Sequence, residues 1–384
     1  MRKILTYLLI LTMLISLIGC GESEAEGTTA STSPNTSPAE NAETTPTEVE
    51  PAPVKQQPMI AVTLPVSSGS VNAEDGSSLF IYREQSMELI VQDSDVALQI
   101  TGDFSTRTEI QGRAQSMIDS AKNAFSAGNA TLPYWTQIQY TPQRLDRSIL
   151  SLYGYDVMFD GSTHTTTIYC SVTYDLLKGN VLTLTDILTP KTDMDTVCTL
   201  VIDALCNQPD PLFPGYEDMV STLFKSDDSI QANWYFNRDG LCFYFPPYEI
   251  GPYTSGDIVA VIPYSKLPGI LLDAYFPPEQ DISTGTIVTT NFDGTTLDTF
   301  TQTAEVILDS TGKKVLLYTD SSVQDIRIMQ QMPALGDASY LEPITVFAAA
   351  ALTPGDAVVI QLPVNAVVTV TYRSGSEIHT QSIS

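Results

Sequence analysis

The sequence contains few histidines, few tryptophans and few basic residues. Its 384 residues include 2 histidines, 2 tryptophans and 18 lysines plus arginines, against 45 aspartates plus glutamates. A zinc site with two or three histidine ligands would require both His164 and His379, so the sequence predicts no metal and no cofactor. The formal net charge of −27, without any cluster of lysine and arginine, argues against nucleic acid as a partner.

Three nearby aspartates, Asp93, Asp95 and Asp103, do not change this prediction. Their spacing lacks the glycine and the terminal glutamate of an EF-hand calcium loop. We therefore interpret them as solvated carboxylates of a loop.

The chain also lacks an apolar run long enough to cross a membrane. The run over residues 4–18 has an apolar core of about 14 residues, whereas a spanning helix needs about 20. Arg2 and Lys3 precede it and Gly19-Cys20 follow it, which is typical of a signal peptide. The segment resembles a bacterial lipoprotein signal, with residues 1–19 removed and acyl chains such as palmitate attached at Cys20. An ordinary cleaved signal with an incidental cysteine is the alternative.

This resemblance implies a protein held on the outer face of the bacterial cytoplasmic membrane by its lipid. Residues 21–57 contain no aromatic residue and consist mostly of Ser, Thr, Pro, Glu and Ala, so residues 20–57 are predicted to be a disordered tether. A random coil of this length would span about 35 Å. Past the signal the chain keeps 45 acidic and 16 basic residues, a formal net charge of −29 that would attract basic proteins.

The folded part is predicted to be α+β: a mixed antiparallel sheet with two or three helices over residues 58–276, then a small all-β sandwich domain over residues 281–384. Apolar periodicity and turn residues predict the elements. The predicted strands lie at 59–64, 79–82, 87–91, 148–159, 165–176, 306–308, 315–318, 344–347, 358–360 and 367–372. Predicted helices cover about 109–128, with a capping box of Thr106 and Glu109, then 193–207 and 216–224. Pro277-Pro278 marks the joint between the domains.

Residues 233–264 form the densest aromatic segment. The sequence Asn237-Arg238-Asp239-Gly240 is typical of a turn between two strands, and Trp234 and Phe236 before it are interpreted as core. The following loop is stiffened by prolines and carries two tyrosines and a glutamate; its residues are Pro246, Pro247, Tyr248, Glu249, Pro252 and Tyr253. The segment predicts a hairpin, a rigid loop and then a strand.

The stretch from Tyr248 to Gly256 resembles the ectodomain of RsiV-type anti-sigma factors, where a similar Tyr-Glu-Ile-x-Pro-Tyr-x-x-Gly segment follows an aromatic hairpin. Motifs at residues 151–153, 161–164, 173–175 and 179–188 follow the same family's order. They also resemble the accessory domain of PdaC-type peptidoglycan deacetylases. The resemblance covers about residues 84–275. It departs at Gly161-Ser162-Thr163-His164, where the family has Gly-Gly-Ala-His.

The resemblance implies an exported, non-catalytic module that binds peptidoglycan or a lysozyme-like muramidase. The implied ligand-binding residues are His164 and the loop residues Pro246, Pro247, Tyr248, Glu249, Pro252 and Tyr253. The alternative is structural: a turn histidine, and a proline-stiffened corner whose tyrosines pack inward. Anti-sigma activity is not expected, because only Met1, Arg2 and Lys3 precede the apolar run. No catalytic domain follows the region that resembles the deacetylases, and we identify no catalytic residues.

Two alternative functions remain open from the sequence. His164 beside Ser162 could serve a hydrolase acting on wall polymer, or the β-sandwich could be a scaffold for other envelope proteins. The state of the four cysteines after Cys20 is also open: Cys170, Cys198, Cys206 and Cys242 could form two disulfides in any of three pairings, or be buried thiols.

Overall fold

The computed structural model describes residues 58–128, 133–206, 208–226, 228–278, 284–294 and 297–383. The predicted signal, Cys20 and the predicted tether lie outside these ranges. The described residues belong to one compact unit. None of their helices is both long and apolar enough to cross a bilayer.

Within these ranges the fold has eighteen strands and five α-helices. The strands are β1 (Ala61–Thr63), β2 (Val66–Asn72), β3 (Ser78–Gln85), β4 (Glu88–Ile90), β5 (Tyr134–Leu145), β6 (Ile149–Phe159), β7 (Thr166–Asp175), β8 (Trp234–Phe236), β9 (Gly240–Phe245), β10 (Ile258–Pro263), β11 (Ile287–Asn291), β12 (Gln302–Ile307), β13 (Lys313–Thr319), β14 (Val323–Pro333), β15 (Leu341–Leu352), β16 (Asp356–Leu362), β17 (Val368–Ser374) and β18 (Glu377–Ile383). The helices are α1 (Ser94–Thr108), α2 (Gln111–Ser126), α3 (Leu184–Ile187), α4 (Met194–Leu205) and α5 (Tyr216–Ser226). The predicted α+β class, with a β-rich C-terminal part, is confirmed.

A five-stranded sheet, in the order β2-β3-β5-β6-β7, packs one face against α1 and α2. Side chains alternate along a strand, so one set of residues faces the helices and the other set faces away. The helix-facing core includes Phe80, Phe104, Leu152 and Tyr174, all fully buried. This sheet is mixed, because β3 and β5 are parallel and the other pairs are antiparallel.

The prediction for the first helical region was wrong in two respects. Residues 94–108 form α1, and Asp93 caps it by accepting hydrogen bonds from the backbone N–H groups of Asp95 and Val96 at 2.9 and 3.3 Å. Asp95 and Asp103 therefore lie in a helix and Asp93 caps it, so the predicted loop is wrong, although Asp93 and Asp95 are exposed to solvent as expected. Thr106 lies inside α1, where its hydroxyl donates to the carbonyl of Gly102, so it caps no helix. The N-cap of α2 is Ile110, which makes no side-chain capping bond.

The predicted helices near 193 and 216 are confirmed as α4 and α5, and they cover a three-stranded sheet in the order β10-β9-β8. The aromatic hairpin is also confirmed. The Asn237 carboxamide oxygen accepts hydrogen bonds from the N–H groups of Asp239 and Gly240, both at 2.8 Å, which closes the turn. Trp234 and Phe236 are buried in the core, as predicted.

The C-terminal strands form a sandwich of two sheets around one apolar core, ordered β18-β17-β14-β15-β1-β4 and β11-β13-β16-β12. Two strands of the larger sheet come from the N-terminal end of the described chain. β1 pairs with β15 on one side and with β4 on the other. Residues on both sides of the predicted boundary at 277–280 therefore share one sheet, which the predicted domain division did not include.

No disulfide links the cysteines of the described chain. Cys242 is buried, and burial raises the pKa of its thiol to about 12, whereas Cys206 is exposed. Because the thiolate is the reactive form, a thiol of raised pKa reacts slowly at pH 8.

We therefore expect iodoacetamide at pH 8 to modify Cys206 quickly and to leave Cys242 unmodified until the protein unfolds. Mass spectrometry of the labelled peptides measures both rates in one sample, and labelling in urea, where the two thiols should react alike, is the control. Equal rates in the native protein would show that Cys242 is not buried.

Candidate functional site: an aromatic cleft beside a loop with two exposed tyrosines

The face of the five-stranded sheet that points away from α1 and α2 forms one wall of a cleft of about 640 Å³. Residues 334–337, in the segment that connects β14 to β15, form the opposite wall. The lining includes four aromatic, two amide and three acidic residues: Trp135, Tyr153, Tyr155, Tyr169, Gln137, Gln143, Asp257, Asp337 and Glu342. The volume is within the usual range for a small-molecule site.

The alternation of β5, β6 and β7 places the aromatic side chains on this wall. Trp135 packs on Phe159, with ring centroids 6.3 Å apart and planes 27° apart. Gly336 of the connecting segment lies against the Trp135 indole, because a β-carbon at Gly336 would come within 2.9 Å of that ring. Tyr155 lies directly opposite Tyr169 in the register of β6 and β7. These rings give the cleft flat apolar surfaces with polar tips.

A buried polar network holds the cleft wall to the C-terminal sheet. The Arg83 guanidinium forms an ion pair of 2.6 Å with Glu342 and donates to the Gln137 carboxamide oxygen at 3.0 Å. The Gln137 amide and the Tyr155 hydroxyl both donate to the Gln139 carboxamide oxygen, at 3.1 and 3.0 Å. Burial, followed by the negative charge of Glu342, raises the pKa of Tyr155 to about 12, so its hydroxyl stays neutral.

One end of the cleft is built from stacked tyrosines. Tyr153 packs on Tyr235 at 4.6 Å and on Tyr244 at 5.0 Å between ring centroids, and lies parallel to Tyr169 at 6.3 Å. The Tyr153 hydroxyl donates a hydrogen bond to the Asp257 carboxylate. Burial and this acidic neighbour raise the pKa of Tyr153. The stack therefore fixes Asp257 at the cleft as a hydrogen-bond acceptor.

The predicted binding loop forms a corner next to this end. Tyr248 and Tyr253 are 69% and 56% exposed and stack on each other, with ring centroids 5.6 Å apart. Tyr248 has a φ of 71°, and its N–H donates to the Gly251 carbonyl at 3.0 Å. This backbone conformation is uncommon for a tyrosine, and strained backbone concentrates at functional sites. Pro246, Pro247, Glu249 and Pro252 are half-buried around the pair.

The corner and the cleft are neighbours through Tyr169. Burial raises the pKa of Tyr169, and Asp257 of the cleft and Tyr253 of the corner add to that effect. The aromatic surface of the cleft, which includes Tyr169, Tyr153 and Trp135, thus lies near Tyr253 of the corner.

His164 lies apart from this surface, on the exposed connection between β6 and β7. The Ser162 hydroxyl donates to the His164 backbone carbonyl at 2.8 Å and not to its ring. The two side chains are therefore not arranged as a nucleophile and its base. Among the described residues, no three His, Cys, Asp or Glu side chains come together to hold a metal ion.

The cleft residues Trp135, Gln137, Tyr155 and Glu342 were missed by sequence reasoning. A signal was present in residues 134–141, where Trp135, Gln137, Gln139 and Thr141 alternate with apolar or helix-facing residues. That alternation predicts a strand with one polar face. The opposite wall could not be inferred, because residues 334–337 follow the cleft strands by about 160 to 200 positions.

Residues 185–265 match the family model of DUF3298, which is described as a protein of unknown function. The chain is similar to the crystal structure of a DUF3298 family protein from Pseudomonas aeruginosa PAO1, at 16% identity and a TM-score of 0.37, over 57% of this chain and 97% of that one. It is also similar to a member of the DUF3298 family from Bacteroides fragilis NCTC 9343, at 17% identity and a TM-score of 0.40, over 55% of this chain and 94% of that one. No curated protein matches the sequence.

Proposed function

We propose that this protein is a non-catalytic binding protein of the bacterial cell envelope, and that its aromatic cleft holds a short stretch of peptidoglycan glycan. The predicted lipid on Cys20 would keep it on the outer face of the cytoplasmic membrane. The observation that carries the proposal is the lining of the cleft, which combines Trp135, Tyr155 and Tyr169 with amide and carboxylate side chains.

The chemistry of the lining supports a neutral sugar. Aromatic faces pack against the apolar face of a sugar ring. Carboxylates accept hydrogen bonds from hydroxyl and acetamido N–H groups, and carboxamides both accept and donate them. None of the lysines and arginines that the structure describes lines this cleft, and the neighbouring Arg83 is paired with Glu342. The lining therefore favours neutral sugar units of the glycan, such as N-acetylglucosamine, over an anionic ligand.

Cosedimentation with purified peptidoglycan sacculi tests this function. The protein should sediment with sacculi, and soluble oligomers of N-acetylglucosamine should release it. His164→Ala should sediment like the wild type, because His164 lies outside the cleft. Sedimentation that the oligomers do not reduce would contradict a glycan ligand in the cleft.

A lysozyme-like muramidase is the second candidate ligand, and the exposed tyrosine pair of the corner favours it. Rigid aromatic residues on a surface are typical anchors of protein interfaces. The formal net charge of −29 past the predicted signal would speed the approach of a basic enzyme, although charge alone gives little specificity.

We expect Tyr248→Ala combined with Tyr253→Ala to weaken binding to C-type lysozyme at least tenfold in 0.5 M salt, where nonspecific attraction is screened. Surface plasmon resonance measures this loss, with another basic protein of similar charge as the analyte control. The matched control variant is Tyr340→Ala, at an exposed tyrosine outside the corner. Wild-type binding that salt abolishes, or that the basic control protein shares, would reduce the muramidase proposal to charge attraction.

The other two functions remain predictions with less support. A hydrolase acting through His164 would lose turnover of wall polymer in His164→Ala, whereas the proposed binding would persist. A scaffold function would place the partner site on the C-terminal sandwich and would leave glycan binding without a role.

A further inference from the structure

A second cavity, of about 250 Å³, shares Gln143 with the aromatic cleft but has the opposite character. Three arginines line it: Arg238 of the β8–β9 turn, Arg327 of β14 and Arg373 of β17. The whole chain has only 18 lysines and arginines, so three in one small cavity are a strong local concentration of positive charge.

Irregular backbone on two strands shapes this cavity. Gln143 is the extra residue of a bulge in β5, where the register with β6 shifts between Pro142 and Arg144. The register of β14 with β17 shifts between Gln324 and Arg327, and Asp325 within that shift has a φ of 50°. Bulges redirect side chains and are frequent next to functional sites, and a left-handed non-glycine residue is a mark of strain.

The cavity has fewer carboxylates than arginines. Asp325 contacts the Arg238 guanidinium and lies 3.7 Å from the Nε of Arg373. The other lining acid, Asp239, is exposed at the rim. Arg327 donates to the backbone carbonyl of Gln143 at 3.3 Å and has no carboxylate partner of its own among the described residues. Asp325 is thus shared by the guanidinium groups of Arg238 and Arg373, and Arg327 contacts neither lining carboxylate.

Buried donor atoms without partners lie at the same place. The Nη2 of Arg238 and the Nε of Arg373 are buried and make no hydrogen bond to the described residues. The Nε of Arg83 and the Nη2 of Arg144 are also buried without a bond, but each of those arginines has its own carboxylate, Glu342 or Asp146. Unsatisfied buried donors are expensive, so donors facing a cavity indicate a missing acceptor.

Electrostatics agree with this geometry. Burial and the neighbouring charges of Arg373 and Arg327 lower the pKa of Arg238 to about 10. The pKa of Arg327 is also lowered by burial. An anion among the three groups would relieve both the repulsion and the loss of hydration.

We propose that this cavity is a binding site for a small oxyanion, a carboxylate or phosphate group, held between Arg238, Arg327 and Arg373. Asp325 competes with the ligand for the guanidinium groups of Arg238 and Arg373. Planar guanidinium groups bind such oxyanions in two-point contacts. The site goes beyond the glycan function, since it binds an anionic group, whereas the aromatic cleft binds a neutral sugar.

Isothermal titration calorimetry with inorganic phosphate, and separately with acetate, at constant ionic strength tests the site. We expect saturable one-to-one binding, at least tenfold weaker in Arg373→Gln. Asp325→Asn should bind several-fold more tightly, because it removes the competing charge and asparagine tolerates the same backbone conformation. Arg147→Gln, at an exposed arginine outside this cavity, is the matched control and should bind like the wild type.

Each outcome bears on the proposal. Saturable binding of phosphate alone, or of acetate alone, supports the site and identifies the group it takes. Absence of saturable binding of both ions to the wild type and to Asp325→Asn would overturn it, as would an equal loss of affinity in Arg147→Gln. Asp325→Asn keeps the test decisive if Arg373→Gln does not fold, because a purely structural aspartate predicts no gain in affinity.

Discussion

Replacement of Trp135 by alanine is expected to weaken binding of N-acetylglucosamine oligomers at least tenfold. The indole forms one wall of the aromatic cleft and is held in place between Phe159 and Gly336. A buried aromatic anchor of a binding site contributes about 2 kcal/mol or more, and about 1.4 kcal/mol is tenfold in affinity. Calorimetry of the variant with the tetramer measures the loss.

Two matched variants separate loss of the ring from loss of the fold. Trp135→Phe keeps an aromatic face and should lose less affinity than the alanine variant. Trp234→Phe changes the other tryptophan, which is buried in the core under α4 and α5, and should bind like the wild type. Unchanged affinity in Trp135→Ala would place the glycan, if it binds, outside the cleft.

Replacement of Val62 by aspartate is expected to destabilise the whole described unit by about 4 kcal/mol or more. Val62 is fully buried in β1 and lies opposite Ala348 of β15. It faces the core beneath α1 and α2, while its neighbour Ala61 faces the core of the sandwich. A charge at Val62 would have no partner in either core, and total stabilities are only about 5–15 kcal/mol.

Urea denaturation measures this effect, and Val364→Asp is the matched control. Val364 is 81% exposed, so the same substitution there should change the free energy of unfolding by less than about 0.5 kcal/mol. Because β1 contributes residues to both cores, we also expect the N- and C-terminal parts to unfold in one transition. A loss below about 1 kcal/mol in Val62→Asp, or separate transitions for the N- and C-terminal parts, would contradict the described pairing of β1 with β15.

Local patterns in the sequence predicted the elements better than their assembly. The periodicity of residues 193–207 and the Asn237 turn depend on neighbouring residues, and both predictions are confirmed. The capping box at Thr106 was wrong because the same residue types also occur inside helices, where a threonine hydroxyl can bond to the preceding turn, as it does to Gly102. Asp93 was discussed only as a possible calcium ligand, and its role as the N-cap of α1 was not predicted.

The pairing of strands that are distant in the sequence could not be predicted from the sequence. The insertion of residues 61–63 beside residues 347–349 joins segments almost 290 positions apart, and nothing in the local pattern of either segment specifies the partner. The same holds for the cleft, where Arg83 meets Glu342 and Trp135 meets Gly336. The loop with the exposed tyrosine pair was predictable because its prolines, turn residues and aromatics are contiguous in the sequence. Its role in binding stays a prediction.

Glycan binding in the aromatic cleft is tested most directly by tryptophan fluorescence. In the Trp234→Phe variant, Trp135 is the remaining indole, and it lines the cleft. Titration with the tetramer of N-acetylglucosamine should change the intensity and wavelength of its emission along a saturable curve, while a glucose oligomer without acetamido groups should have a weaker effect. Emission that stays constant up to millimolar tetramer would contradict glycan binding in the cleft.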